Sequence, residues 1–331
     1  MNLKLHLSGA ILIHPFKEVT GMQQLSYSVN ADKKLPRDKK RNIVDGLLDE
    51  GSALLFILPF LSVFALFYFW PVLRGVWISL HSWGIAGMQK YVGFKNYIGV
   101  LKNPDFYFYI WNSFYFVLLS TPVIIVLGLI LALIINEKII ARTAIRAVYF
   151  LPYVLSVSVV SYIWMRMLDA NNGLVNAVMG AVGLPKNVAW LTDTRFAWWS
   201  IVLTTAWWTV GFVMVIYLAG LQEIPEEYYE AADMDGANPM QKLLHIVLPS
   251  LSRVTRVQVF FQVIAGLKLF GQVHIMTQGG PGDTTNTLIR YIYVTGFKKD
   301  FFGDAAAQSV LFILLMLVIS VAQYKFVNKE D

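Results

Sequence analysis

The chain has 331 residues, of which 56% are hydrophobic and only 15% charged, and its mean hydropathy is +0.56. Soluble domains keep about a quarter of their residues charged, and disordered chains combine low hydrophobicity with high net charge, so both classes are excluded. There is no cysteine, which excludes disulfides, thiolate metal sites and cysteine nucleophiles. The histidines (His6, His14, His81, His245 and His274) show no pair at metal-ligand spacing, so no metal site is expected. In so apolar a chain a net charge of +6 marks the flanks of membrane spans rather than a nucleic-acid surface.

Residues 1–52 read as an N-terminal extension. Its apolar stretch, residues 5–16 (LHLSGAILIHPF), is about half a span long and no small-residue cleavage site follows it, so it reads as a short interfacial helix or a tail. A basic cluster, KKLPRDKKR, occupies residues 33–41. Six stretches are then long and apolar enough to cross a bilayer, which takes about 20 residues each. They are residues 53–73, 111–135, 148–168 (with Pro152 near its start), 198–219, 254–276 and 306–326. The fifth is interrupted by Gln262, Lys268 and Gln272. The expected fold is all-α and integral to the membrane: a six-helix domain over residues 53–326, followed by a tail at residues 327–331. With the N-terminus inside, the cluster at 33–41 joins Lys138, Arg142, Arg146, Lys242, Arg253, Arg256, Lys325 and Lys329 on one side. Basic residues mark the cytoplasmic side, so both termini are expected there. No internal repeat is visible, and no span carries a carboxylate near its middle, which argues against an ion-coupled secondary carrier. No G-x-x-x-x-G-K-[ST] occurs, so the chain is not expected to hydrolyse ATP, and no catalytic residue is assigned.

The connection between the fourth and fifth spans, residues 220–253, reads GLQEIPEEYYEAADMDGANPMQKLLHIVLPSLSR. Pro225 suits a first helical position, and Glu226 and Glu227 favour a first turn. A helix over residues 225–234 is expected, ended by Gly236 in the left-handed conformation. Asn238 and Pro239 then open a second helix, which Pro249 is expected to stop. Ala231, Ala232 and Gly236 are small enough for a partner surface to come close, with Glu230, Asp233 and Asp235 supplying charge around that approach.

Glu230-Ala231-Ala232, then Gly236, Ile246 and Leu248-Pro249, match in full the EAA signature of importer-type ABC transporter permeases. Further likeness lies in Phe94, Asn96-Tyr97, Asn112-Ser113, residues 146–152 (RAVYFLP), Ile163-Trp164, residues 173–176 (GLVN), Trp190-Leu191, and residues 279–281 (GGP) with Tyr291 and Phe297. Over residues 91–326 the chain resembles the carbohydrate-uptake branch, which includes the maltose-type membrane subunits. The resemblance implies a type I importer permease architecture in a bacterial inner membrane, with a cytoplasmic coupling helix between helices 4 and 5. It implies a second permease subunit, an extracytoplasmic solute-binding protein, and two ATPase subunits that bind ATP and Mg. No cofactor is implied for this chain. Glu230, Ala231, Ala232, Asp233 and Gly236 would form the ATPase-docking core. The implied solute is a sugar or oligosaccharide; the same architecture could also carry a uronate oligosaccharide, a polyol or glycerol phosphate.

Polar groups inside spans are the default functional candidates. Gln262, Gln272 and the small residues Gly266 and Gly271 mark one wall, and Trp207, Trp208 and Gly211 of the fourth span another. By the resemblance, aligned on Gly279-Gly280-Pro281, Gln262 and Gly266 fall at substrate-contact positions. The expected pathway residues are Gln262, Gly266, Lys268, Trp207 and Gly211. Lys268, deep in its span, must face water or an acidic partner; an acidic saccharide and a carboxylate of the second permease satisfy it equally. Residues 279–283 (GGPGD) are turn chemistry.

Overall fold

The computed structural model describes residues 56–137 and 141–327. The extension at residues 1–52 with its basic cluster, Lys138 and residues 328–331 lie outside the described residues. The chain forms two units, Met1–Ser62 and Val63–Asp331. Residues 56–62 of the first are helical, with exposed side chains that include Phe56, Leu58 and Phe60.

Helix α1 (Phe56–Ser79) contains a π-helical turn at Ala65–Phe69. An antiparallel hairpin follows, β1 (His81–Gly84) and β2 (Gly87–Tyr91), with Gly84 opposite Gly87, where φ is +90°. The fold is therefore mainly helical rather than all-α. Asn96 anchors the hairpin, its amide donating to the carbonyls of Ser79 (2.8 Å) and His81 (3.0 Å). Helix α2 is Lys95–Lys102. Helix α3 (Pro104–Asn136) starts with Pro104 in its first turn and the Asn103 side chain accepting from the Asp105 N–H at 3.0 Å. Its 33 residues give about 50 Å, longer than the hydrocarbon core.

The third expected span, residues 148–168, is not one helix. It is α4 (Arg142–Val154) and α5 (Val157–Met167), bent by 100°. Leu155 and Ser156 are extended, and the Ser156 hydroxyl accepts from the Val159 N–H at 3.4 Å, starting a new helix where the old one would have continued. Helix α6 is Leu174–Ala181 and α7 is Ala197–Gln222. Before α7, Arg195 hydrogen-bonds the Asp193 carboxylate at 2.7 Å and holds its pKa down to about 2. Next come α8 (Glu226–Met234) and α9, which opens at Pro239–Lys242 and runs on through Leu243–Val247 and Leu248–Ser250.

The fifth expected span, residues 254–276, is also broken. Helix α10 (Ser252–Leu267) stops at Lys268, and the chain resumes helical form at Gly271, leading into a π-helical turn at Val273–Thr277. Lys268 therefore ends a helix rather than lying within one. Helix α11 (Leu288–Tyr293) passes into a further π-helical turn, Val294–Lys298, and α12 (Phe302–Val327) closes the domain. Among the described residues, four unbroken helices (α1, α3, α7 and α12) are long and apolar enough to cross a membrane, and the bent α4–α5 pair makes a fifth.

Helices α3 and α7 make the most extensive contact, with Ile124, Ala132, Val213, Met214 and Tyr217 buried in it. In lipid, burying apolar surface gains little over leaving it in the acyl chains, so close approach at small residues holds helices together. Gly211 is the tightest case: a Cβ there would lie 1.9 Å from the Tyr149 carbonyl oxygen of α4. Gly211→Ala is expected to cost about 1–3 kcal/mol through overpacking. A thermal melt of the detergent-solubilised protein measures this, and an unchanged midpoint would show that α4 is not held at this point.

Candidate functional site

The connection after α7 is a rigid elbow. Pro225 caps α8, and Glu226 and Glu227 occupy its first turn, where the helix dipole favours acid. The helix ends in a Schellman arrangement. The Gly236 N–H donates to Asp233 O (3.1 Å) and the Ala237 N–H to Ala232 O (2.9 Å), with Gly236 at φ +72°. Asn238 and Gln241 close a reciprocal capping box at 2.8 and 2.9 Å. Lys242 of α9 forms an ion pair with Asp233 of α8, which ties the two arms. The helix continues through Pro249 instead of stopping there. The π-helical turn just before it bonds Leu248 N–H to Leu243 O, and this wider ladder accommodates the missing donor of Pro249.

Between the two arms lies an open groove of about 540 Å³, lined by Tyr228, Ala231, Ala232, Gly236, His245 and Ile246 among others. The small residues are its floor, and no atom lies within 4 Å of where a Gly236 Cβ would be. Glu230 stands exposed beside the groove, and Asp233 is engaged with Lys242.

A second cavity, about 330 Å³, lies where the two helix breaks meet. Val157, at the start of α5, faces the stretch from Gln262 to Gln272 across it, with Phe116 and Ser120 of α3 and Thr205, Trp208 and Thr209 of α7 completing the wall. The break at Leu155 leaves a carbonyl without its helical donor, and Trp208 Nε1 donates to it at 3.1 Å. The break at Leu269 is met in the same way by Thr287 Oγ1, at 2.8 Å. Lys268 sits at the C-terminal end of α10, where the helix dipole favours a cation, and its side chain is exposed in this chain.

Of the expected pathway residues, the structure brings Gln262, Gly266 and Lys268 together in this cavity. Trp207 and Gly211 stand apart. The Trp207 ring packs edge-on against Trp164 at 5.9 Å, and Gly211 is closed off by α4. Trp208, one position along, is the tryptophan on the cavity wall. Thr205, Thr209 and Ser120 went unread in the sequence, though Thr205, Trp208 and Thr209 have the i, i+3, i+4 spacing of one helix face. Gln258 was missed too. It lies one turn before Gln262 on α10, fully buried, with neither end of its amide hydrogen-bonded.

Residues 98–329 match the family described as the binding-protein-dependent transport system inner membrane component. The chain belongs to this family. The permease is 32% identical to the arabinooligosaccharides transport system permease protein AraP of Bacillus subtilis, over 83% of this chain and 88% of that one. It is 33% identical to the trehalose/maltose transport system permease protein MalF of Thermococcus litoralis, over 82% of this chain and 92% of that one. Its fold matches a membrane chain in the crystal structure of a bacterial ABC transporter involved in the import of the acidic polysaccharide alginate. The TM-score is 0.77 at 23% identity, over 87% of this chain and 99% of that one.

If the Trp208 bond stabilises the bent α4–α5 pair, Trp208→Phe should lower stability in detergent by roughly 1–3 kcal/mol, because it leaves the Leu155 carbonyl unpaired. Trp207→Phe, which removes no recorded hydrogen bond, should change it by less than half as much. Equal melting shifts for the two variants would refute the assignment.

Proposed function

We propose that this permease forms half of an ATP-driven import pathway for sugars or oligosaccharides, with the cavity between the two helix breaks as its solute wall. The observation that carries this reading is the cavity itself. Non-helical backbone at membrane depth is tolerated where it lines a cavity, and broken helices are how transporters present backbone and polar groups to a solute. The names of AraP and MalF support a saccharide. In this reading α10 and the Val273–Thr277 turn together make the fifth of six membrane segments over residues 53–326. Residues 1–52 and 327–331 are then cytoplasmic, in a bacterial inner membrane.

The elbow supplies the coupling. Helix α8 seats in a cleft of a separate ATPase subunit, with Ala231, Ala232 and Gly236 at the contact and Glu230 and Asp233 beside it. ATP and Mg bind in two such subunits, a second permease completes the pathway, and an extracytoplasmic binding protein delivers the solute. This chain itself catalyses no reaction. The left-handed backbone at Gly236 makes the first test specific. Gly236→Val in the reconstituted complex should abolish both uptake and solute-stimulated ATP hydrolysis, whereas Gly236→Asn, which tolerates that conformation better, should retain part of each. Normal uptake and hydrolysis in the valine variant would remove the coupling role.

Lys268 favours a second reading, in which the solute is an acidic saccharide. Lys268 lines the cavity and has no ion-pair partner among the described residues. Lys268→Gln is then expected to slow uptake of alginate oligosaccharides about tenfold or more, as losing a charged hydrogen bond does, while malto-oligosaccharide uptake stays nearly constant. Equal loss for both series would assign the lysine to a partner subunit instead.

A further inference from the structure

We propose that Phe270, His274, Tyr293 and Phe297 form an aromatic track along which saccharide rings reach the cavity at Lys268. The inference rests on the saccharide-importer reading and adds the route. Phe270 is itself part of the cavity wall. The His274 ring stacks on it, 5.0 Å between centres and 15° between planes, in a turn fixed by the His274 N–H donating to Phe270 O at 2.8 Å. Tyr293 stands 5.3 Å from Phe270 and 5.0 Å from His274. Phe297 stacks on Tyr293 at 5.4 Å and 28°, and 69% of its surface is exposed. The row is thus continuous from the cavity to the surface of the chain.

Three features separate the track from ordinary packing. Phe270, His274 and Tyr293 are only half-buried, so the row does not close a core. His274 Nδ1 is buried with no hydrogen-bond partner among the described residues, an unsatisfied polar atom that ordinary apolar packing or a lipid-facing row would not place there. His274 and Phe297 also lie on the two π-helical turns of this region, Val273–Thr277 and Val294–Lys298, and such turns concentrate at functional sites.

The chemistry suits a moving solute. The C–H bonds on the apolar face of a pyranose lie well over an aromatic ring, whose face is electron-rich. Each contact is modest, and neighbouring rings offer equivalent ones. A pathway needs binding favourable enough to enter and weak enough to leave, spread over several sites. A longer saccharide covers more rings at once and depends more on the row being unbroken.

The test uses the complete importer in proteoliposomes: this chain with its partner permease, ATPases and binding protein. Wild type, Phe297→Ala and Phe297→Tyr are supplied with two series, maltose to maltopentaose and alginate disaccharide to pentasaccharide. For whichever series the wild type imports, Phe297→Ala should slow pentasaccharide uptake about tenfold, the size of one lost aromatic stack, and the disaccharide less than about twofold. Phe297→Tyr should restore the rate. Uniform loss at all lengths overturns the track, and dissociation on size-exclusion chromatography would then assign the row to a subunit interface. No change at any length overturns it in favour of a lipid-facing row. A wild-type complex that imports neither series, nor arabino-oligosaccharides, removes the saccharide reading itself, and the track falls with it.

Discussion

Inside a bilayer there is no water to complete a hydrogen bond, so every break in a membrane helix must find its partners within the protein. This chain breaks helices at two places, Leu155 and Ser156 between α4 and α5, and Lys268 to Phe270 after α10. Each break is satisfied by a side chain from another element. Trp208 of α7 takes the Leu155 carbonyl, and Thr287, at the head of α11, takes that of Leu269. Val157 of α5 packs so closely on the second break that a Cβ on Gly271 would fall 2.6 Å from its side chain. The compensation draws α3, α5, α7 and α10 around one space. The cavity is therefore a consequence of how the breaks are satisfied, and it would not survive straightening either helix.

The same logic orders the turn beyond the cavity. Thr287 gives its hydroxyl to Leu269 instead of capping its own helix, and the Leu288 N–H is met by Ser113 Oγ of α3 at 3.0 Å. Asn112, the neighbouring residue, donates to the carbonyls of Asn286 (3.0 Å) and Asp283 (3.3 Å). Thr285 Oγ1 closes the turn onto Gly280 O at 2.6 Å. Asn112-Ser113 and Gly279-Gly280-Pro281 are separate motifs in the sequence, and here one supports the segment that the other opens. Their joint structural task is to fix where the Val273–Thr277 turn ends and α11 begins.

Local chemistry was legible in the sequence, and chain geometry was not. The elbow could be read because each of its devices is a short-range one: acid in a first turn, Gly236 at a left-handed helix end, Asn238 as a cap. The bends could not be read, because hydropathy averages over a window: the first break lies in apolar surroundings, and at the second Lys268 and Gln272 read as polar side chains within a span rather than as the end of a helix. Ser156 is one of three serines in six residues, with Ser158 and Ser161, yet it is the one that caps the helix beyond the 100° bend. Pro249 misled in the opposite direction, since a π-helical turn upstream carries the helix through it. The tryptophans show the limit most sharply. One position along a helix is about 100° of rotation, so whether Trp207 or Trp208 meets the cavity depends on how α7 sits on α4. That seating is set at Gly211, through a backbone contact no side-chain pattern encodes.

The elbow and the cavity lie on one run of chain. Helix α9 leads into α10 at Leu251, which is 1% exposed and belongs to the α3–α7 core. From Ser252, Gln262 lies about 15 Å along α10 and Lys268 about 24 Å, so the same helix starts at the elbow and ends in the cavity wall. Helix α10 is fastened to α7 near its start, where Tyr217 and Thr255 hydrogen-bond at 3.1 Å, and its far end is free of the helical ladder beyond Leu267. That end is held from outside the helix, by Val117 of α3 against Gly266 and by Thr287 on the Leu269 carbonyl, so one supported helix joins the elbow to the cavity wall. The unpaired amide of Gln258 lies along α10 between the fastening and the cavity. The break after Leu267 thus turns the end of α10 into cavity wall, while Thr287 and Val157 hold the chain just beyond it in place.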